Sequence, residues 1–121
     1  ALLECRKCDF IIFFVGKEYF VQFWLGDGKC TCNYPLKKKS ALYKQRYAVA
    51  GVLNEMGITR DCERDQNHPK FKNTYTHIQY YDFEEYEISF GKDYQKASEF
   101  TALVFEEVFK RGLSRLSVRI G

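Results

Sequence analysis

Proline is scarce in this chain, with two in 121 residues, and there is one methionine and one tryptophan. So little proline beside a hydrophobic content of 45% excludes a proline-rich or disordered chain. No apolar run approaches the ~20 residues needed to cross a bilayer as a helix. Charge of one sign is also lacking. Nineteen basic and 16 acidic residues leave +3, too small an excess to argue for nucleic acid by itself. The single basic run is Lys37-Lys38-Lys39. The start at Ala1 has no basic and apolar signal pattern, and Asn-x-Ser/Thr does not occur. Five cysteines are an odd number, which argues against a full disulfide framework. Reduced thiols and a cytoplasmic, intracellular protein are therefore expected. Phosphate-loop, GxSxG and HExxH motifs are absent, and with them the common enzyme classes that use them.

Aromatics are abundant: eleven Phe, nine Tyr and the one Trp. A chain of this length is expected to form one domain, residues 1–121, with a real core. Residues 8–15 form an apolar run of strand type, and Gly16 can open a tight hairpin toward a second strand, Tyr19 to Leu25. Asp27-Gly28 is a strong turn signal before a third strand, Cys30 to Pro35. Ser40 can cap a helix whose apolar positions are Leu42, Val49, Val52, Leu53 and Met56, with Gly57 as its stop. Residues 59–74 are polar and aperiodic and read as a long loop.

A second hairpin follows over Thr76–Asp82 and Tyr86–Phe90. There Tyr86, Ile88 and Phe90 alternate with Glu85, Glu87 and Ser89. Asp93 can cap a second helix running to Arg111, with Ala97, Phe100, Val104 and Val108 as its stripe and Gly112 as its end. Leu116, Val118 and Ile120 alternate in a last strand. The expected fold is α+β, in the order βββαββαβ: an antiparallel sheet with two helices packed on one face. In element order, three strands, a helix, a hairpin and a helix resemble the small dimeric chaperones of bacterial secretion systems. The strand after Gly112 departs from that order, and no sequence motif carries the likeness.

Two tight turns set a register. With Gly16-Lys17 as a two-residue loop, Phe14 faces Tyr19, Ile12 faces Val21 and Phe10 faces Phe23. With Asp27-Gly28 as the next loop, Leu25 faces Cys30 and Phe23 faces Cys32. Opposed residues share a sheet face. The face with Phe10, Ile12, Phe14, Val21 and Phe23 goes to the core beneath the helices. The other face then exposes Ile11, Phe13, Val15, Phe20 and Trp24 together, where a solvated sheet would be polar. A contiguous apolar patch of this kind marks an interface or a ligand site, unless an unplaced segment such as the 59–74 loop covers it.

The candidate chemistry is weaker. Cys5-x2-Cys8 and Cys30-x-Cys32 resemble zinc-ligand spacings, but this register separates Cys8 from Cys30 by roughly 10 Å, too far for one metal. Packed core thiols are the better reading for Cys8, Cys30 and Cys32. Cys62 and His68 share the polar loop with no element to orient one on the other, so a thiol enzyme is a third choice. Asp61, Glu63, Asp65 and Asn67 begin like a calcium loop, but Gln66 and Lys72 stand where its Gly and closing Glu belong. His77, alone in a strand, reads as a packed or solvated residue. An RNA-binding sheet is compatible with the element order, but its basic-Gly-aromatic signature is missing, and Asp9, Glu18, Glu85 and Glu87 would repel phosphate. The expectation is a non-enzymatic binding domain without a cofactor, a homodimer or the partner of another protein. Its contact is the Ile11/Phe13/Val15/Phe20/Trp24 face. A zinc- or nucleic-acid-binding module is the alternative.

Overall fold

A computed structural model describes residues 8–26, 29–37, 44–60 and 74–121. The strands are β1 (Phe10–Val15), β2 (Tyr19–Trp24), β3 (Cys30–Lys37), β4 (Thr59–Arg60), β5 (Thr74–Gln79), β6 (Phe83–Gly91) and β7 (Ser117–Ile120). The helices are α1 (Arg46–Glu55) and α2 (Tyr94–Leu103). The strands form one seven-stranded sheet in the order β4-β5-β6-β3-β2-β1-β7. All pairs are antiparallel except β4 with β5. The fold is α+β, as expected. The strand β4, placed where a loop was expected, begins the polar segment. Ser40, Leu42, Cys5, Cys62, His68 and the calcium-like run lie outside the described residues.

Helix α1 puts Val49, Val52 and Leu53 into the core. It ends where the sequence placed its stop. Gly57 has φ +71, and the Ile58 amide reaches back to the Leu53 carbonyl at 2.9 Å. That is a Schellman closure, with Ile58 and Leu53 both buried beside it. Helix α2 starts on Asp93, whose Oδ1 accepts from the Lys96 amide at 3.0 Å. Its buried Thr101 and Ser98 hydroxyls donate to the Ala97 and Tyr94 carbonyls.

The end of α2 departs from expectation. From Val104 to Val108 the helix widens to π geometry, so that the Phe109 amide donates to the Val104 carbonyl at 2.9 Å. Across this turn Val104, Phe105, Val108 and Phe109 are all buried. The left-handed residue is then Lys110, at φ 56, and not Gly112, which is extended at φ −69. Arg111 secures the end, its guanidinium donating to the Phe109 and Lys110 carbonyls and to the Tyr19 hydroxyl.

Both helices lie on one face of the sheet. Phe23 meets Phe13 and Phe90, Phe90 meets Phe100, and Phe109 packs between Tyr19 and Tyr34. Burying each such ring is worth about 2–3 kcal/mol. The inner sheet face carries Ile11 and Phe13 in β1, Val21 and Phe23 in β2, Cys30, Cys32, Tyr34 and Leu36 in β3, and Glu84, Tyr86, Ile88 and Phe90 in β6, with His77 and Gln79 beside them in β5.

The register of the first hairpin corrects the expectation. Val15 pairs with Tyr19, Phe14 with Phe20, Phe13 with Val21 and Ile12 with Gln22. The loop is three residues, Gly16-Lys17-Glu18, all exposed, with Gly16 at φ +66. A two-residue loop would have drawn Glu18 into the ladder opposite Val15. The longer loop leaves both charged residues in solvent and moves β1 by one residue. Ile11 and Phe13 are therefore core residues, 1% and 0% exposed, not members of the outer face, and Val15 is half-buried on the inner side. In the second hairpin Phe23 does face Cys32, as the Asp27-Gly28 turn implied.

Candidate functional site

The outer sheet face carries no helix among the described residues. Strand pairing arranges it in three rows. The first runs Gly121, Phe10, Trp24, Thr31, Ser89 and Thr74. The second runs Arg119, Ile12, Gln22, Asn33, Glu87 and Thr76. In the third, Ser117, Phe14 and Phe20 lie on one side, and Pro35, Glu85 and Ile78 on the other.

Each row changes character at the same place. Across β1 and β2 it is apolar: Phe10, Ile12, Phe14, Phe20 and Trp24, broken only by Gln22. Across β3, β6 and β5 it is largely polar, with Thr31, Asn33, Glu85, Glu87, Ser89, Thr74 and Thr76. The apolar half has relief. The Phe10 and Trp24 rings meet at 5.7 Å and 60°, and beside them a depression of about 200 Å³ is lined by Phe10, Ile12, Gln22, Phe23 and Trp24. Trp24 is 51% exposed, the largest apolar side chain of this face left open. Phe10 lies against Gly121, where any Cβ would collide with the ring.

Of the five residues expected on this face, Phe20 and Trp24 are there. Ile11, Phe13 and Val15 are replaced by their neighbours Phe10, Ile12 and Phe14. The acids also sort differently. Glu85 and Glu87 stand on the outer face, Glu18 lies in the turn, and Asp9 precedes β1. Asn33 Nδ2 donates to Glu85 Oε1 at 2.8 Å.

Two other clusters bear chemistry-carrying side chains. Cys30 and Cys32 are both fully buried on the inner face. Burial pushes the Cys30 thiol up to about 12 and the Cys32 thiol well above its ordinary value, so both stay protonated and inert. Burial raises the neighbouring Tyr34 hydroxyl as well. Among the described residues no group of three or more His, Cys, Asp or Glu could hold a metal ion.

The second cluster escaped the sequence reading. His77 stacks on Tyr86 at 4.8 Å and 16°, with its Nε2 3.5 Å from Glu84 Oε1. That approach becomes an ion pair only with a protonated imidazole. Gln79 Nε2 donates to the same Glu84 oxygen at 3.3 Å. Alternation could have paired the three, since Glu84, Tyr86, His77 and Gln79 lie on one face of β5–β6. Gln79 and Tyr86 thus hold Glu84 and His77 in place.

No described helix is long and apolar enough to cross a membrane. No family model, curated protein or solved structure matches the chain.

Proposed function

We propose that the chain is a non-enzymatic binding domain that meets a protein surface through the β1–β2 half of its outer sheet face. The observation that carries this reading is the division of that face. An open sheet turns polar residues to water, as β3, β5 and β6 do here. On β1 and β2 the same side presents Phe10, Ile12, Phe14, Phe20 and Trp24, with Trp24 half in solvent. These rings add nothing to the core beneath the helices, whose inner face is complete without them. Aromatic, well-ordered and nearly charge-free surface is the composition of interface centres.

The test is made on dilute protein. Trp24 is expected to be reached by a neutral quencher such as acrylamide. Phe20→Asp is expected to fold with an unfolding free energy within about 1.5 kcal/mol of the parent, because the charge enters a surface and not a core. A Trp24 that stays shielded at the highest dilution, or a Phe20→Asp chain that does not fold, would mean that the protein covers this face itself, and would overturn the reading.

A further inference from the structure

The apolar half of the outer face is bordered by unlike charges in a single row. Arg119 stands on β7 at one border, and Glu87 on β6 at the other, with Ile12, Gln22 and Asn33 between them. They are four strand spacings apart, roughly 19 Å, so they do not pair within one chain. Among the described residues neither has an ion-pair partner. A surface apolar in the middle, basic on one side and acidic on the other is complementary to itself.

We infer that the partner of this face is a second copy of the chain, related by a two-fold axis that runs parallel to the strands between β1 and β2. This rests on the binding reading above. Such an axis keeps every residue in its row and exchanges left for right. It lays β1 of one protomer over β2 of its partner, so Phe10 meets Trp24 and Phe14 meets Phe20. It carries Arg119 over Asn33 of its partner, with Glu87 one strand beyond. Two sheets packed face to face lie about 10 Å apart, a gap that Arg and Glu side chains bridge at the rim. The contact is isologous, so each charge pair occurs twice. A two-fold axis across the strands would reverse the rows and leave Arg119 beside Arg119. The charges thus select one orientation.

The apolar half covers roughly 200 Å² of sheet, well below the size of a standard interface, so a weak, concentration-dependent dimer is expected. Sedimentation equilibrium over a wide concentration range tests the inference. Arg119→Glu and Glu87→Arg, each alone, are expected to weaken self-association by about tenfold, since symmetry doubles each like-charge contact. Mixing the two single variants is expected to restore it, because both junctions of the mixed dimer are then of unlike charge. Self-association that ignores both charges but is lost in Phe20→Asp overturns this orientation and leaves the binding reading intact. A strict monomer whose Trp24 is open to quencher overturns the second copy as the partner, again without touching that reading. A monomer with Trp24 shielded overturns both.

Discussion

The β1–β2 and β5–β6 hairpins belong to one sheet under one pair of helices, yet they treat their outer sides in opposite ways. In β6, Glu85, Glu87 and Ser89 face out while Tyr86, Ile88 and Phe90 face in. In β1 the run Phe10-Ile11-Ile12-Phe13-Phe14-Val15 has no polar residue on either side. The inner faces answer to the same requirement, which is to fill the space beneath α1 and α2. The outer faces do not, because nothing among the described residues covers them. Where only folding acts, the outer face is polar. Where it is aromatic, folding of the described residues does not account for it, and the proposed contact does.

The largest expected effect breaks the comparison within β1 itself. Phe13 is fully buried, meeting Phe23 edge to face at 6.2 Å, and Phe14 is its outward neighbour. Phe13→Ala is expected to cost about 3–5 kcal/mol, whereas Phe14→Ala costs the dilute monomer under about 1.5 kcal/mol. Urea unfolding of the two variants checks this. Equal losses, or a larger loss at Phe14, would show that the two sides of β1 have been exchanged.

The same contrast explains what could be read from the sequence. In β6 the alternation of glutamate with aromatic and aliphatic residues fixes which side is in. A one-residue slip would bury Glu85 and Glu87, so the sides of this strand were legible, but its turn was not: the strands are Thr74–Gln79 and Phe83–Gly91, not Thr76–Asp82 and Tyr86–Phe90. In β2, Gln22 between Phe20 and Trp24 marks the outer side and left Val21 and Phe23 for the core. In β1 a slip exchanges one apolar set for another, and no residue objects. Only the turn could decide, and Gly16 suits both a two-residue and a three-residue loop. Hence Phe20 and Trp24 lie on the outer face as expected, and Ile11, Phe13 and Val15 do not. The helix caps at Gly57 and Asp93 were legible because they depend on local chemistry. The π turn at Val104–Val108 was not, because Phe109, which packs on Phe105, also packs on Tyr19 and Tyr34, which are far away in the chain.

Strand β3 joins the two hairpins, and its inner side carries two buried thiols. Cys30 and Cys32 keep their protons in the folded protein well past the ordinary value of 9.0, Cys30 to about 12. In the unfolded chain both thiols ionise near 9.0. Between those limits the unfolded state holds fewer protons than the folded state. Stability is therefore fully present below pH 9.0 and falls as pH rises toward 12, by up to about 1.4 kcal/mol per pH unit for each thiol. Thermal unfolding from neutral to alkaline pH, with Cys30→Ala/Cys32→Ala as the reference, reads this directly. The double variant is expected to show a shallower alkaline decline. Identical slopes would mean that water reaches the thiols and that β3 does not seal the core between the hairpins.

The smallest effects concern the turn that decides which side of β1 is which. Gly16 has φ +66 and open space where a Cβ would stand, so Gly16→Ala pays only for backbone strain, about 1 kcal/mol. Deleting Glu18 is the more discriminating change. With Val15 opposite Tyr19, removal of one loop residue leaves Gly16-Lys17 as a two-residue turn, a common hairpin connection with glycine in its first central position. Every pair from Val15–Tyr19 to Phe10–Trp24 is then retained, and the deletion is expected to change stability by less than about 1 kcal/mol in urea unfolding, with Trp24 still open to quencher. If instead Phe14 lay opposite Tyr19, the same deletion would remove the partner of Val15 and turn Val15-Gly16-Lys17 into a three-residue loop. A small loss is the result expected of the observed pairing, and a loss of several kcal/mol would show that the pairs from Val15–Tyr19 to Phe10–Trp24 are not retained.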